Sequence, residues 1–317
     1  VEGSLDLNGT RMIVHPERIG NIPDTWEQLK PTLDDAMLAT YAHLQSPLKR
    51  ELTLSDREDR SLQYHDLDLI RVENLKKMYG NFCAVSPLNF TVKRGEIFGL
   101  LGPNGSGKST TFKMLCGLET PTSGNAYILG KSISPLDINT RMKIGYMPQK
   151  FSLYRLLSVK ENLDFFGKMY NVSSKTLQHR IIELTDLLDL KEHINKPAGS
   201  LSLGLQQRLS FCCALLHYPE IVFLDEPTSG VDPMTRKDFW KLLLGLANHN
   251  ITMIVTTHFL DEAQYCDRAL MLLSGSPIAL GSPSDLIQQA KKFQNQVHSM
   301  EDVFLAHLNH YEKMEHA

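Results

Sequence analysis

Apolar and polar residues follow two different patterns in the strand-forming parts of this chain. Residues 68–72 and 88–92 alternate between apolar and polar positions, which predicts half-exposed antiparallel strands. Residues 96–101, 221–224 and 251–255 are almost continuously apolar, which predicts buried strands of a parallel sheet. Together the two patterns predict an α/β fold with a mixed sheet core and an antiparallel β subdomain.

Helical spacing replaces strand patterns between the first two of these buried strands. Apolar residues recur there near i, i+3 and i+4 spacing, at Leu163, Phe166, Leu177, Ile181, Leu184, Leu187 and Leu188. We therefore predict one domain at residues 67–293, interrupted by a helical insert at about residues 150–217. A helical tail is predicted at residues 294–317.

Two distant segments of the chain resemble each other. Residues 31–39 match residues 298–306 in register, and both are predicted to be Ser/Thr-capped helices with an acidic first turn. Internal similarity at long spacing favours duplicated domains, so residues 1–45 are predicted to be the tail of a preceding copy. A chance likeness between two amphipathic helices is the alternative. The charge-rich residues 46–66 are predicted to be a solvated linker.

Composition narrows the classes of partner. The net charge of -3 gives no case for a nucleic-acid partner, and we expect none. No apolar run reaches the roughly 18 residues that a membrane helix needs, so a role at a membrane is expected to come through a partner. The five cysteines form no C-x-x-C pair and lie mostly in apolar segments, which favours buried, reduced thiols over metal or disulfide roles.

A glycine-rich loop follows the first buried strand and precedes a predicted helix at residues 111–116. Glycine lets backbone N–H groups turn inward around phosphate oxygens, and the helix N-terminus adds partial positive charge. We expect Lys108 to reach the β- and γ-phosphates of a nucleotide and the Ser109 hydroxyl to bind Mg²⁺. An accidental glycine-rich turn is the alternative. The predicted nucleotide-binding residues are Gly102, Asn104, Gly105, Gly107, Lys108, Ser109 and Thr110.

Two carboxylates end the buried strand at residues 221–224. Ligands of open α/β sheets bind at the carboxyl ends of the strands. Asp225 is expected to hold Mg²⁺, through water, and Glu226 to polarise the attacking water. An Asp-Glu pair at a strand end is common by itself, but after a phosphate loop it is typical of a Walker B motif.

Four further motifs follow in a characteristic order. Tyr79 precedes Gly80, Gln149 follows a Met-Pro pair, Asp232 ends a Ser-Gly-Val-Asp segment and His258 follows a buried strand. Taken alone, Tyr79 is also compatible with a core aromatic, Gln149 with a surface amide and His258 with a hydrogen-bonded histidine at a strand end. Together with the glycine-rich loop, which is a Walker A motif, and the Walker B motif, these residues occur in the order found in the nucleotide-binding domain of ABC proteins. The chain resembles that domain over about residues 67–290.

The resemblance implies a P-loop ABC ATPase fold and assigns a role to each of these side chains. Tyr79 is expected to stack on adenine, and Gln149 is expected to be the Q-loop residue that binds Mg²⁺ and takes part in catalysis. Asp232 is expected to lie at the nucleotide and His258 to act as the switch histidine. Residues 98–101, 229–233 and 300–304, with the repeated tail, are similar to the C-terminal ATPase half of bacterial tandem exporters of the daunorubicin type.

The family's signature position is held by residues 201–208, which depart from the usual pattern. Ser202 and Gly204 are retained and are expected to face the γ-phosphate held by a second domain, whereas Leu203 and Leu205 replace Gly and Gln or Met. Since leucine reaches a positive φ at higher cost than glycine, Leu203 is expected to weaken this composite site.

The resemblance also implies a function and a setting. We expect an ATPase that closes in pairs on ATP and drives a membrane permease from the cytoplasmic face, with residues 150–157 receiving a helix of that permease. Packing of residues 150–157 on the chain's own helical insert is the alternative. A soluble ABC ATPase acting on ribosomes is the second functional hypothesis. A GTPase or small-molecule kinase is disfavoured, since residues 195–198 lack the aspartate of a guanine reader.

Overall fold

The computed structural model describes residues 2–6, 9–13, 68–150, 153–247, 249–294 and 296–315. The strands are β1 (Glu2–Asp6), β2 (Gly9–Ile13), β3 (Asp68–Tyr79), β4 (Phe82–Lys93), β5 (Ile97–Leu101), β6 (Ser123–Ile128), β7 (Lys131–Ser132), β8 (Ile144–Met147), β9 (Ile221–Asp225), β10 (Thr252–Thr257), β11 (Arg268–Leu273) and β12 (Ser276–Gly281). The α-helices are α1 (Lys108–Leu115), α2 (Ile138–Arg141), α3 (Val159–Met169), α4 (Ser174–Leu187), α5 (Leu203–Leu215), α6 (Pro233–Ala247), α7 (Pro283–Lys291) and α8 (Met300–Glu315). Short 3₁₀ helices span Lys191–His193, Ala198–Ser200 and Leu260–Tyr265.

The central sheet has the strand order β12-β11-β5-β10-β9-β8. All neighbouring pairs in it are parallel except β11 and β12, which are antiparallel. Every residue of β5, β9 and β10 is buried, because layers cover both faces of the sheet. Along β9, Val222 and Leu224 face the helical side, whereas Ile221 and Phe223 face α1 and the second sheet. The predicted mixed sheet with buried parallel strands is confirmed.

The second sheet is antiparallel, with the strand order β4-β3-β6-β7. Strands β3 and β4 are longer than the sequence pattern predicts, and Tyr79 pairs with Phe82 across the turn that joins them. This sheet packs on the central sheet through apolar side chains, including the stacked rings of Phe90 and Phe98 at 4.9 Å. Burial of each such ring stabilises the contact between the sheets by about 1.5–3 kcal/mol.

Three helices, α3, α4 and α5, lie within the predicted insert. Ser158 and Glu161 form a reciprocal capping box at the start of α3, which fixes where this helix begins. Helices α3 and α4 approach closely at Gly167, where a Cβ would lie 2.2 Å from Leu177 Cδ1. Leu177 belongs to the core cluster that also contains Leu209 of α5 and Val222 of β9, so the three helices cover one face of the central sheet.

Helices α7 and α8 form a separate apolar cluster against β11. The predicted Ser cap of the last helix is present, since Ser299 Oγ accepts a hydrogen bond from the Asp302 amide at 3.1 Å. The matching segment at residues 31–39 and the predicted linker at residues 46–66 lie outside the described residues. Strands β1 and β2 form an antiparallel pair. Among the described residues, no helix has both the length and the apolar character required to span a bilayer.

Candidate active site

The loops that carry the predicted catalytic residues follow four neighbouring parallel strands. The glycine-rich loop follows β5, His258 follows β10, Glu226 follows β9 and Gln149 follows β8. These strands lie side by side and run in the same direction. Their carboxyl ends therefore meet at one edge of the sheet, and residues far apart in sequence converge there.

The glycine-rich loop takes a conformation that side chains would obstruct. Gly107 has a φ of 96°, and a Cβ there would lie 2.8 Å from the Ala84 carbonyl oxygen of β4. At Gly102, with a φ of 146°, a Cβ would lie 2.2 Å from the Leu272 carbonyl oxygen of β11. The loop is thus wedged between β4 and β11, while Gly105 faces open space.

Lys108 is buried at the start of α1 with its side chain turned back into the loop. Its Nζ donates hydrogen bonds to the carbonyl oxygens of Gly102 at 2.6 Å and Pro103 at 2.9 Å. Burial lowers the pKa of this amine, and the nearby carboxylates of Glu226 and Asp225 oppose that shift. Within the described residues Lys108 forms hydrogen bonds but no salt bridge, so its charge is available to an anionic ligand.

The remaining loop residues present polar groups at the same place. Asn104 and Ser109 are exposed and Thr110 is half-buried. The first helical hydrogen bond runs from the Thr111 amide to the Gly107 carbonyl at 2.9 Å. The amides of Lys108, Ser109 and Thr110 precede it and form the open N-terminus of α1, which attracts anions.

The Glu226 carboxylate is the point at which three predicted residues meet. Its Oε2 accepts a hydrogen bond from Gln149 Nε2 at 2.7 Å and lies 3.2 Å from His258 Nδ1. Glu226 has a φ of 47°, in the left-handed region that residues with a Cβ seldom adopt. This sharp turn after β9 directs the carboxylate towards the loops that follow β8 and β10.

Thr256 is a site residue that the sequence reasoning missed. Its hydroxyl donates to Asp225 Oδ1 at 2.7 Å and accepts from the Glu226 amide at 2.9 Å. Burial raises the pKa of Asp225, and the Thr256 hydrogen bond opposes that rise. A signal was present in the sequence, because Thr256 is a polar residue directly after the apolar run at residues 251–255.

Comparison with known proteins gives this arrangement a family. The ABC transporter family model matches residues 85–229. The probable multidrug ABC transporter ATP-binding protein YbhF of Escherichia coli (strain K12) is 45% identical over 245 residues, which is 77% of this chain and 42% of YbhF. The linearmycin resistance ATP-binding protein LnrL of Bacillus subtilis (strain 168) is 38% identical over 219 residues, which is 69% of this chain and 70% of LnrL. The chain belongs to the ABC transporter ATP-binding family.

A solved structure supports the same conclusion for the fold. The dimeric structure of the ATP-binding cassette MJ0796, in a post-hydrolysis state bound to ADP and Pi, has a TM-score of 0.62 and 29% identity. It covers 68% of this chain and 98% of that cassette. The predicted ABC ATPase fold is therefore confirmed. This chain spans less than half of the length of YbhF.

The signature segment and the Asp232 loop of the ABC cassette form a second cluster. Ser202 caps α5 by accepting a hydrogen bond from the Leu205 amide at 3.4 Å. A Cβ at Gly204 would lie 2.8 Å from Thr235 Cγ2 of α6. Asp232 caps α6, with Oδ2 accepting from Thr235 Oγ1 at 2.7 Å. The structure thus brings Ser202, Gly204 and Asp232 near one another, and their hydrogen bonds do not join them to the phosphate loop.

The prediction that Leu203 takes a costly positive φ is wrong. Leu203 is the first residue of α5, and neither it nor Gly204 has a positive φ. Leucine has a higher helix propensity than glycine, so the substitution carries no backbone penalty. The Leu203 side chain is instead 45% exposed and contacts the Asp232 loop, where a Cβ at Gly230 would lie 3.1 Å from Leu203 Cδ2.

Tyr79 lies at the end of β3, with 48% of its surface exposed. Lys77 Nζ is 4.9 Å from the centre of the Tyr79 ring and forms a salt bridge with Glu119. Its neighbour strand β4 contacts the phosphate loop at Ala84. The ring is accessible for stacking, and the backbone of this hairpin connects it to the loop.

Proposed function

We propose that this chain binds ATP and Mg²⁺ at the carboxyl edge of its central sheet and hydrolyses ATP to drive a membrane exporter. The observation that carries the proposal is the convergence of Lys108, Glu226, Gln149 and His258 on one edge, with Glu226 Oε2 2.7 Å from Gln149 Nε2 and 3.2 Å from His258 Nδ1. A phosphate-binding lysine, a buried base and two polar groups that hold that base are the components which ATP hydrolysis requires.

The residues at this edge fit a magnesium nucleotide. Lys108 is buried without a carboxylate partner in the described part of the chain, and the buried Ser106 hydroxyl has no hydrogen-bond partner there. Ser109, Gln149 and Asp225 supply the hydroxyl, amide and carboxylate oxygens that Mg²⁺ prefers. Bound Mg²⁺ would neutralise charge on the phosphates.

The chain's own groups then have separable roles in hydrolysis. Glu226 accepts the proton of the attacking water, and Gln149 and His258 hold its carboxylate in place. Lys108 and the amides at the start of α1 stabilise negative charge on the transferring phosphoryl group. Tyr79 stacks on the base.

A second ABC cassette is proposed as the partner that completes the site. Ser202 and Leu203 are exposed at the N-terminus of α5, and Gln207 Nε2 ties this helix to the Asp232 loop through the Ser229 carbonyl at 3.0 Å. A helix N-terminus on the surface is suited to phosphates held by another molecule. The dimeric MJ0796 cassette supports this arrangement. The prediction that residues 1–45 belong to a preceding copy remains a prediction.

An exposed apolar surface near residues 153–169 is proposed to bind the permease. Leu156 is 95% exposed and Met169 is 56% exposed, and the half-exposed rings of Tyr154 and Phe165 are in edge contact at 4.8 Å. Both sequence interpretations of this loop find support, because Leu153 is buried in the helical cluster. YbhF and LnrL, named for multidrug transport and linearmycin resistance, favour an exporter at the cytoplasmic face of a membrane.

Replacement of Glu226 by Gln tests the proposal. The amide cannot accept the proton from water, so we expect turnover to fall at least about 100-fold while ATP affinity is retained. Light scattering should show an ATP-stabilised dimer. Glu73→Gln, at an exposed position of β3, is the control and should leave turnover unchanged. Unchanged steady-state ATPase activity in Glu226→Gln would contradict the assignment.

A further inference from the structure

We propose that Thr256 is a positioning residue which holds both acidic residues of the site, and that its hydroxyl is required for Mg²⁺-dependent ATP binding and for turnover. The inference rests on the proposed function. It extends that function by assigning the geometry of Asp225 and Glu226 to one side chain on a neighbouring strand.

Thr256 lies on β10, the strand between the phosphate-loop strand β5 and the acidic strand β9. It pairs with Asp225 of β9 and with Leu100 of β5, and its side chain is fully buried. One hydroxyl serves two partners, since its proton goes to Asp225 Oδ1 at 2.7 Å and its lone pair accepts the Glu226 amide at 2.9 Å. Both bonds lie within the usual range of strong hydrogen bonds.

The bond to Asp225 fixes a side chain that the strands alone leave free, whereas the bond from the Glu226 amide adds to one that this amide already makes with the Thr256 carbonyl oxygen at 3.1 Å. The Asp225 side chain can rotate about its own bonds, and the bond to Oδ1 selects one orientation in which Oδ2 is left for a ligand. Glu226 takes a left-handed φ of 47°, which is disfavoured for a residue with a side chain. The Glu226 amide donates to both the carbonyl oxygen and the hydroxyl of Thr256, so the hydroxyl gives a second bond to the turn that directs the Glu226 carboxylate towards Gln149.

Thr252, on the same strand, is a matched control for the purely structural effect of losing a buried threonine hydroxyl. Thr252 is also fully buried, and its hydroxyl accepts a hydrogen bond from the Gly95 amide at 2.9 Å, at the opposite edge of the sheet. Replacing either threonine by valine keeps the shape and removes the hydroxyl. The two variants therefore share the loss of a buried hydrogen bond, and only Thr256→Val affects the acidic residues.

The test compares wild-type chain with Thr256→Val, Thr256→Ser and Thr252→Val by calorimetric titration of ATP with and without Mg²⁺. We expect Thr256→Val to reduce the Mg²⁺-dependent gain in ATP affinity about 10–100-fold, the range found when outer-shell partners of metal ligands are removed. ATP affinity without Mg²⁺ should stay at the wild-type level, because the phosphate loop is untouched. Thr256→Ser should restore the gain, and Thr252→Val should retain it.

Turnover gives a second measurement that separates positioning from stability. In the assembled ATPase, Thr256→Val should lower kcat at saturating magnesium ATP, in addition to the rise in KM that weaker binding of magnesium ATP produces. Thr256→Ser and Thr256→Ala both lack the methyl group and differ only in the hydroxyl, so they repeat the comparison if the valine variant does not fold.

Two results would overturn the inference. One is a wild-type Mg²⁺ dependence and kcat in Thr256→Val, and the other is an equal loss in Thr252→Val. A wild-type chain that binds no magnesium ATP would instead contradict the proposed function itself, so the two failures are distinguishable.

Discussion

The two edges of the central sheet differ in the partners of their charged residues. At the edge where the parallel strands begin, acids and bases pair directly. Glu96 contacts Arg268 at 3.2 Å, and Glu220 contacts Arg94 at 2.8 Å and Lys143 at 3.0 Å. Glu96 is buried, Arg94 and Glu220 are partly buried and Lys143 is exposed, and the pairs connect the beginnings of strands in the central sheet.

At the edge where the strands end, Lys108, Asp225 and Glu226 each form hydrogen bonds with neutral groups. Lys108 donates to two backbone carbonyls, Asp225 accepts from a hydroxyl, and Glu226 accepts from the Gln149 amide. Direct pairing of Lys108 with an acid would neutralise it before any ligand arrived. The comparison indicates that charged residues stabilise the fold at the edge where the strands begin, whereas those at the edge where the strands end are available to bind a ligand.

The largest expected effect that distinguishes the edges is on ligand binding. Lys108→Ala should weaken ATP binding about 100-fold, because hydrogen bonds to a charged group contribute about 1.5–3 kcal/mol. The free energy of unfolding should change less than the free energy of binding, because the loss of two hydrogen bonds to loop carbonyls is partly offset by removal of a buried charge that has no ionic partner. Titration calorimetry and urea unfolding measure the two quantities. Lys113→Ala, on the exposed face of α1, is the control. A large loss of stability with normal ATP binding would reverse the comparison.

A change at the opposite edge should have the converse result. Arg268→Ala leaves Glu96 buried, where desolvation already raises its pKa and Arg268 opposes the rise. We expect a loss of about 2–3 kcal/mol in urea unfolding, somewhat below that of a fully buried pair because Arg268 is partly exposed. ATP affinity should be unchanged. Arg71→Ala breaks an exposed pair with Glu73 and should cost no more than about 1 kcal/mol. Equal losses in both variants would remove the distinction between buried and exposed pairs.

His217 lies near this same edge and should make the free energy of unfolding depend on pH. It stacks on Tyr170 at 3.7 Å, contacts the Ile144 carbonyl at 3.0 Å, and burial lowers its pKa to about 4. Between pH 6.5 and 4 the unfolded chain binds a proton that the folded chain does not, so stability falls as pH falls through this range. His217→Gln should reduce the drop between pH 7.5 and 5.0 by about 2 kcal/mol in urea unfolding. An identical pH dependence in both proteins would exclude His217 as its source.

The smallest effect concerns the base. Tyr79→Ala should weaken ATP binding about tenfold, since stacking of a base on an aromatic ring contributes about 1–3 kcal/mol. Tyr79→Phe keeps the ring and should bind ATP with wild-type affinity. Fluorescence titration with ATP and with inorganic triphosphate separates base recognition from phosphate recognition, because only ATP affinity should fall. Weaker binding of triphosphate in Tyr79→Ala would show that the effect reaches the phosphate loop.

The sequence was sufficient for those parts of the molecule that repeat a local pattern. Apolar runs located β5, β9 and β10, and the glycine-rich loop with its following helix was evident from residues 102–116. Because parallel strands bring their carboxyl ends together, the convergence of Lys108 with Glu226 also followed from the order of motifs.

Other features depend on contacts between distant elements and could not be inferred. The sequence does not reveal that Asp232 caps α6 or that Leu203 has a helical φ, because both facts depend on where the backbone turns. The sequence shows Thr256 only as a polar residue after an apolar run, and it is the strand pairing that places it beside Asp225. Side-chain chemistry was visible in the sequence, whereas its partners were set by the register between strands.

The main-chain contacts of Gly275 connect the phosphate loop to its neighbouring strand. Its amide donates to the Ser106 carbonyl at 3.1 Å and its carbonyl accepts from the Ser86 amide at 2.8 Å, so it joins the phosphate loop to β4. A Cβ there would lie 2.8 Å from the Ala84 carbonyl oxygen. The spacing between the Tyr79 hairpin and Lys108 is therefore held by main-chain atoms, so substitutions of the surrounding side chains can leave this spacing unchanged.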